Sequence, residues 1–292
     1  MRAELEKVST FPKMKPRRPD THKGDYGRVL VIAGSEGMTG AAGLAAEAAL
    51  RAGAGLVRLA VPRSLYPIVA GPLSCFITKP LPETVEGSIR AAALDEVLPL
   101  LEETDVVAIG PGLSRSGETR DFLIGLIPQL RHPAIIDADG LNLLAGRLEV
   151  LNEVVPELTL TPHPGEAARL LGTSAAEVQR DRLGSAVKLS RQTGAVVVLK
   201  GHGSVVTDAR RYYINETGNP GMATAGAGDV LLGVMAGLSG QGLAPFEAAQ
   251  LAVYVHGVAG DLAKERFGEI SMTARDILES LPEAFKRTTE EG

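Results

Sequence analysis

Tryptophan is missing from this chain of 292 residues, and aromatic side chains of any kind supply only 4% of it. The interior therefore has to be filled by Ala, Val and Leu, with 34 glycines allowing main chains to approach one another closely. A single cysteine, Cys75, excludes an intramolecular disulfide and fits a reducing compartment. With no companion thiol for a metal and no base near it in the sequence, it also makes a poor ligand or nucleophile. Positive charge is not in excess: 30 Lys and Arg stand against 35 Asp and Glu, a net charge of −5. That balance argues against a chain whose main work is gripping nucleic acid or an anionic bilayer. Long apolar runs are absent too. The longest uncharged stretch, Val230–Phe246, is broken by Gly233, Gly237, Gly240, Gly242 and Pro245, and it falls short of the roughly 20 apolar residues that span a bilayer. The opening MRAELEKVSTFPKMKPRRPD has no apolar core of the signal-peptide kind, so a cytoplasmic location is expected.

A repeated pattern fills the rest. Arg28–Ala33 (RVLVIA) leads into GSEGMTGAAG and an Ala-rich helix through Arg51, and Leu56–Val61 reads as another strand. Asp105–Ile109 runs into GPGLS with a helix over 118–130, and Ala134–Asp137 runs into ADGLN. Leu158–Thr161 runs into PHPGE with a helix from Glu166, and Ala195–Leu199 runs into KGHG. Apolar runs without polar alternation suit strands covered on both faces. Their alternation with helices predicts an α/β fold with a mainly parallel sheet. Val205–Thr207 and Tyr212–Ile214 read as a hairpin, and after Gly221 the chain reads as helical over 229–238, 245–266 and 273–286. Residues 1–22 read as an irregular lead-in rich in Pro and basic residues. No linker or composition break follows, so 23–292 is expected to form one domain.

Ligands of open parallel sheets lie beyond the carboxyl ends of the strands, and there this chain gathers its unusual residues. Ala225-Gly226-Ala227-Gly228-Asp229 opens an apolar helix. A helix start free of side chains offers backbone N–H groups and a positive dipole end to an anion. Asp229 is placed to take a proton from a hydroxyl attacking phosphorus, or it simply caps the helix. Lys200-Gly201-His202-Gly203-Ser204 supplies donors and open backbone to a nucleotide, or makes a tight turn into the hairpin. It is not a Walker A loop, and no strand opens onto a GxGxxG fingerprint. His163, held between Pro162 and Pro164, can donate to a polar ligand, and Glu166 can hold a hydrated Mg²⁺; alternatively the pair starts a helix. Asp137, Asp139 and Asn142 suit a ribose or a water, or turns and caps. Gly34–Gly40 and Gly110–Gly112 read as loops approached by something else. His22, His132 and His256 read as structural or exposed.

Taken together, GAGD, TPHPGEA and KGHGS resemble the ribokinase-like superfamily. KGDYGRVLVIAGSEGMTGAA, GPGLS, DADGLN and NPGMATAGAGDVLLG are similar to one branch of it, the ADP/ATP-dependent NAD(P)H-hydrate dehydratases, over about residues 23–263. The resemblance implies a three-layer α/β/α fold around a mainly parallel central sheet. It implies an enzyme that phosphorylates the ring hydroxyl of the S epimer of hydrated NADH or NADPH from ADP, then eliminates phosphate and leaves AMP. Mg²⁺, ADP or ATP as co-substrate and a homotetramer follow from it as expectations. So does a separate epimerase, since some relatives carry an N-terminal epimerase domain for which this chain leaves no room.

Position by position, the resemblance assigns hydrate contacts to Ala42, Gly112, His163 and Asp229, with Asp229 as base. Nucleotide contacts fall to Lys200, Gly201, His202, Gly203, Ser204 and Gly228, and an anion hole to the amides of Gly226, Ala227 and Gly228. Direct metal ligands stay unassigned, with Glu166 able to reach Mg²⁺ through water. Ser114 stands where family members often have Gly, and Ala225 and Ala227 where they often read GGTGD. Ala227 matches the wider superfamily, so the anion cradle survives. His163 replaces an Asn frequent in the small-molecule kinases and favours the dehydratase branch. Two rival readings are an ATP-dependent kinase of a small alcohol of the thiamine-precursor type, and a nucleotide-binding sensor without activity.

Overall fold

The computed structural model describes residues 5–14, 16–71, 75–153 and 157–290. Among the described residues, ten strands share one sheet: β1 (Glu6–Lys7), β2 (Arg28–Ile32), β3 (Leu56–Pro62), β4 (Ile77–Leu81), β5 (Val106–Ile109), β6 (Ala134–Ile136), β7 (Leu158–Leu160), β8 (Val196–Leu199), β9 (Val205–Thr207) and β10 (Arg211–Ile214). Across the sheet they run β1-β10-β9-β8-β7-β6-β5-β2-β3-β4. β9 runs against β8 and β10, and the other pairs are parallel. The chain moves one way from β2 through β4 and the other way from β5 onward. β2 and β5, paired side by side, therefore mark the switch point where open α/β sheets bind ligands.

The helices are α1 (Thr39–Arg51), α2 (Tyr66–Val69), α3 (Leu94–Leu101), α4 (Gly117–Leu126), α5 (Asp139–Leu144), α6 (Pro164–Leu171), α7 (Ala175–Arg180), α8 (Arg182–Thr193), α9 (Ala227–Gly240), α10 (Pro245–Ser271) and α11 (Ala274–Glu290). α1, α9, α10 and α11 cover one face of the sheet around one apolar core. α3 to α8 cover the other around a second. That is the three-layer α/β/α arrangement, and it explains why Val106–Ile109 and Val196–Leu199 are buried at every position.

The shortage of aromatics is answered by close helix packing. Gly233 and Gly237 of α9 lie against Ala45, Ala48 and Ala49 of α1 and against Ala52 just past its end, and a Cβ on Gly237 would stand 2.6 Å from the Ala49 carbonyl oxygen and 2.7 Å from Ala52 Cβ. Small residues thus seat the helix that begins with Ala227-Gly228-Asp229 directly on the helix that carries Ala42. β4, α3, α7 and α8 are elements that periodicity does not announce, and Glu6–Lys7 of the lead-in pair in parallel with β10. No helix among the described residues is long and apolar enough to cross a membrane.

Candidate active site

The loops at the carboxyl ends of β2, β5, β6, β7 and β8 are joined edge to edge by main-chain hydrogen bonds. Gly34 N–H donates to Pro111 O (2.8 Å), Asp137 N–H to Ile109 O (2.9 Å), Thr161 N–H to Ile136 O (3.1 Å) and Lys200 N–H to Pro162 O (2.9 Å). Gly110 turns at φ 134°, and a Cβ there would strike the Asp137 carbonyl, so only glycine lets these two loops touch. Ala138, the next residue along, is held at φ 52°, ψ −119°. A β-carbon in that region is strained, and strain of this sort collects at working sites.

Three adjacent strand ends bring opposite charges together. Lys200 Nζ, at the end of β8, pairs with the carboxylate of Asp137, at the end of β6, and Asp137 is 1% exposed. Both face the start of α9: a Cβ on Gly228 would stand 3.4 Å from Lys200 Nζ and 3.9 Å from Asp137 Oδ2. Burial works against the charge on Lys200, but Asp137, Glu166 and Asp229 outweigh it and raise its proton affinity. Asp229 is pushed up from an ordinary 3.8 to about 6, first by burial and then by the negative charge of Asp137, with Lys200 pulling the other way. A carboxyl so poised is a serviceable base near neutral pH.

His163 caps α6. Its Nδ1 accepts from Gly165 N–H (2.9 Å) and Glu166 N–H (3.3 Å), while Glu166 Oε2 accepts from His163 N–H (2.8 Å). The ring proton therefore sits on Nε2, 3.3 Å from Glu166 Oε1. Glu166 is raised chiefly by burial and by Asp137, against the pull of Lys200 and the His163 amide. Of the two sequence readings the helix start is observed: the pair caps α6, and Glu166 stands beside the charged cluster. Asp139 accepts from Ser114 N–H (3.1 Å) and from Asn142 Nδ2 (3.2 Å), a turn-and-cap role.

A cavity of about 690 Å³ opens beside the cluster, within the size range of small-molecule sites. Lys200, Gly201, His202, Gly203 and Ser204 line it together with His163, Ala227, Gly228 and the segment from Asn215 to Pro220. Asp229 stands one residue beyond this lining. Gly226, at φ 92°, lies outside the lining as well, its Cβ position 2.7 Å from Leu44 Cδ1 of α1 and 4.0 Å from Asp229 Oδ2. Ala42 and Gly112 also stand apart from the cavity. They gather around the start of α1, where a Cβ on Gly112 would lie 2.8 Å from Met38 Cβ and one on Gly34 3.3 Å from Ala42 Cβ. Asp229 thus stands just beyond the cavity, on the side of Gly226 and of the Leu44 side chain of α1.

Sequence reasoning misses three supports of this site. Arg182 Nη2 donates to the carbonyls of Leu199 (3.0 Å), Lys200 (3.4 Å) and Gly203 (3.3 Å), and so shapes the Lys200–Ser204 loop from behind. The opposite wall is stitched to α10. Asn215 Nδ2 donates to Val253 O (3.1 Å), Thr217 Oγ1 to Tyr254 O (3.0 Å), and Asp261 accepts from Gly218 N–H and Asn219 Nδ2 (both 2.9 Å). His256, read from sequence as structural or exposed, is buried and lines the cavity.

The comparisons with known proteins show the family and the fold. A family model described as NAD(P)H-hydrate dehydratase matches residues 29–283. The chain is 40% identical over 274 residues to the ADP-dependent (S)-NAD(P)H-hydrate dehydratase of Neisseria meningitidis, covering 91% of this chain and 88% of that one. It is 52% identical over 278 residues to a bifunctional NAD(P)H-hydrate repair enzyme of Moorella thermoacetica, covering 94% of this chain and 52% of the relative. The chain thus spans about half the length of that relative and of other bifunctional repair enzymes it matches. Among solved structures it is similar to the ADP/ATP-dependent NAD(P)H-hydrate dehydratase from Bacillus subtilis co-crystallised with ATP/Mg²⁺, with a TM-score of 0.82, 29% identity and 94% of each chain covered. The fold is ribokinase-like, and the chain belongs to the NAD(P)H-hydrate dehydratase family.

Proposed function

We propose that this chain restores NAD(P)H from the S epimer of its hydrate, NADHX or NADPHX, at the expense of ADP, releasing AMP and phosphate. The observation that carries the reading is the convergence of Lys200, Gly228 and, just beyond the lining, the perturbed carboxyl of Asp229 beside a nucleotide-sized cavity. Lys200 through Ser204 and Gly228 hold the nucleotide. Ala42, Gly112, His163 and Asp229 hold the hydrate, His163 from the cavity lining and Ala42 and Gly112 from around the start of α1. Asp229 takes the proton of the ring hydroxyl as its oxygen attacks the terminal phosphorus, and the bond from phosphorus to the departing AMP oxygen breaks. The amides of Gly226 and Gly228, with Lys200, meet the charge that spreads over the phosphoryl oxygens, while the Ala227 amide donates to Thr224 O (3.4 Å). Phosphate, unlike hydroxide, leaves readily. The ring carbon–oxygen bond breaks with its electron pair on phosphate, a proton leaves the neighbouring ring carbon, and the carbon–carbon double bond returns.

Mg²⁺ belongs to this reading as a companion of the nucleotide. Among the described residues no three His, Cys, Asp or Glu side chains converge to hold a metal, and Glu166 is engaged with the His163 amide. The described residues alone build no cage for the ion, and no step here passes through it. The same reading takes 23–292 as one catalytic domain behind a lead-in, and a homotetramer in the cytoplasm.

Incubation of the purified chain with hydrated NADPH, Mg²⁺ and ADP or ATP tests the proposal. Reduced-nicotinamide absorbance and free phosphate are expected to rise together, in equal amounts. Accumulation of a stable phosphoester would instead indicate a small-alcohol kinase, and inertness with both nucleotides overturns the reading.

A further inference from the structure

The hydroxyls of Thr84, Ser88, Ser116 and Thr119 meet in one cluster at the start of α4, and the transfer chemistry uses none of them. Ser88 and Thr119 are fully buried and Thr84 nearly so. Ser88 Oγ lies 3.0 Å from Thr84 Oγ1 and 3.0 Å from Ser116 Oγ. Thr119 Oγ1 lies 2.8 Å from Ser116 Oγ and 3.1 Å from Ser88 Oγ, and it donates to Ile89 O (2.8 Å). Stability alone does not call for such a group, because apolar side chains of the same shape would hold the place nearly as well. What a satisfied buried network adds is a single fixed geometry.

That geometry reaches both loops of the β2–β5 switch point. After β4 the chain doubles back as a small hairpin, with Glu83 bridged to Ile89 and Gly87 N–H donating to Thr84 O (3.1 Å). At its turn the Gly87 carbonyl accepts from Glu36 N–H (2.9 Å), and a Cβ on Gly87 would stand 2.8 Å from Glu36 Cβ. The turn is therefore pressed onto the Gly34–Gly40 loop. On its other side Ser116, bonded to Ser88, caps α4 by accepting from Thr119 N–H (3.1 Å). Ser116 stands just after the Gly110–Ser114 loop, in which Gly112 packs against Met38. The hairpin thus joins the two loops around which Ala42 and Gly112 gather. The Lys200–Ser204 loop is held separately, by Arg182.

We infer that the Thr84–Ser88 turn is a clasp for the hydrate side of the site, with Ser88 and Thr119 as its positioning residues. Through Ser116 and Glu36 their hydrogen bonds fix the spacing between Gly112 and the start of α1, and with it the grip on the hydrate but not on the nucleotide. This rests on the assignment of Ala42 and Gly112 to the hydrate given above.

Steady-state kinetics of the full chain with hydrated NADPH, Mg²⁺ and ADP test the inference in Thr119→Val, which keeps the side-chain shape and removes the hydroxyl. KM for the hydrate is expected to rise about fivefold to fiftyfold, with kcat and KM for ADP within about twofold of the parent values. Thr119→Ser, which retains the hydroxyl, is expected to stay close to the parent. If Thr119→Val does not fold, as judged by circular dichroism, Ser88→Ala takes its place with the same expected split. An unchanged KM for the hydrate in the folded variant, or equal losses toward hydrate and ADP, reduces the cluster to packing and overturns the clasp. Thr119→Ser as impaired as Thr119→Val overturns it as well. Inertness of the unaltered chain would sink the hydrate reading itself, and the clasp with it.

Discussion

Asp229 is expected to weaken the fold at neutral pH for the same reason that it works as a base. Raising its carboxyl from 3.8 to about 6 costs the ionised form about 3 kcal/mol. Because the folded value lies above the unfolded one, the contribution of Asp229 to stability is fully present below about pH 3.8 and is lost as pH rises through about 6. Asp229→Asn removes a buried charge and keeps the shape. Denaturant unfolding at about pH 8 should therefore find the variant more stable by up to about 3 kcal/mol, with the difference fading toward about pH 4. Turnover should fall by about a hundredfold to ten-thousandfold, the span usual for a lost general base. In the unaltered enzyme, log kcat/KM should drop on the acid side with its midpoint near 6.

Phosphate groups of a nucleotide titrate in the same region, so the midpoint alone does not identify Asp229. Two neighbours separate the sources, because neither alters the phosphates. Asp137→Asn removes the charge that helps raise Asp229 and releases Lys200, so the acid limb should move down. Lys200→Met removes the opposing positive charge, so the limb should move up. An acid limb that stays in place in both variants refutes the assignment of the base. So does an Asp229→Asn variant no more stable than the parent at about pH 8.

Two further outcomes follow from the packing. Arg182→Ala leaves the carbonyls of Leu199, Lys200 and Gly203 without their shared donor; nucleotide affinity by calorimetry should fall about tenfold or more, with faster hydrogen exchange at residues 200–204, and unchanged affinity would remove Arg182 from the site. Gly233→Ala drives a methyl into the Ala45 carbonyl and to 2.6 Å from Ala48 Cβ; urea unfolding should show a loss of about 1–3 kcal/mol, and a neutral result would refute the close seating of α9 on α1.

How much of this can be read along the chain depends on whether the deciding contact is local. Strands β5, β6 and β8 announce themselves because both faces are covered and the run stays apolar throughout, and β7 departs from that only at the buried Thr159. β4 hides because it closes the sheet at an edge, where Lys79 and Pro80 are tolerated. α8 hides behind Gly184, Ser185 and Ser190, and α3 behind Pro99. The glycine-rich loops are visible for the opposite reason, since a backbone that needs positive φ or close approach writes glycine into the sequence.

Lys200 and Asp137 lie 63 residues apart, and no spacing rule connects them. They meet because β6 and β8 flank β7 and all three point the same way, a fact of strand order alone. The same holds for Arg182, whose helix precedes the strand that it serves, and for His256. A histidine among Ala, Val and Gly reads identically whether its ring faces packed core or a cavity. Only the position of the Asn215–Pro220 segment, hung on α10 by Asn215, Thr217 and Asp261, places open space in front of it.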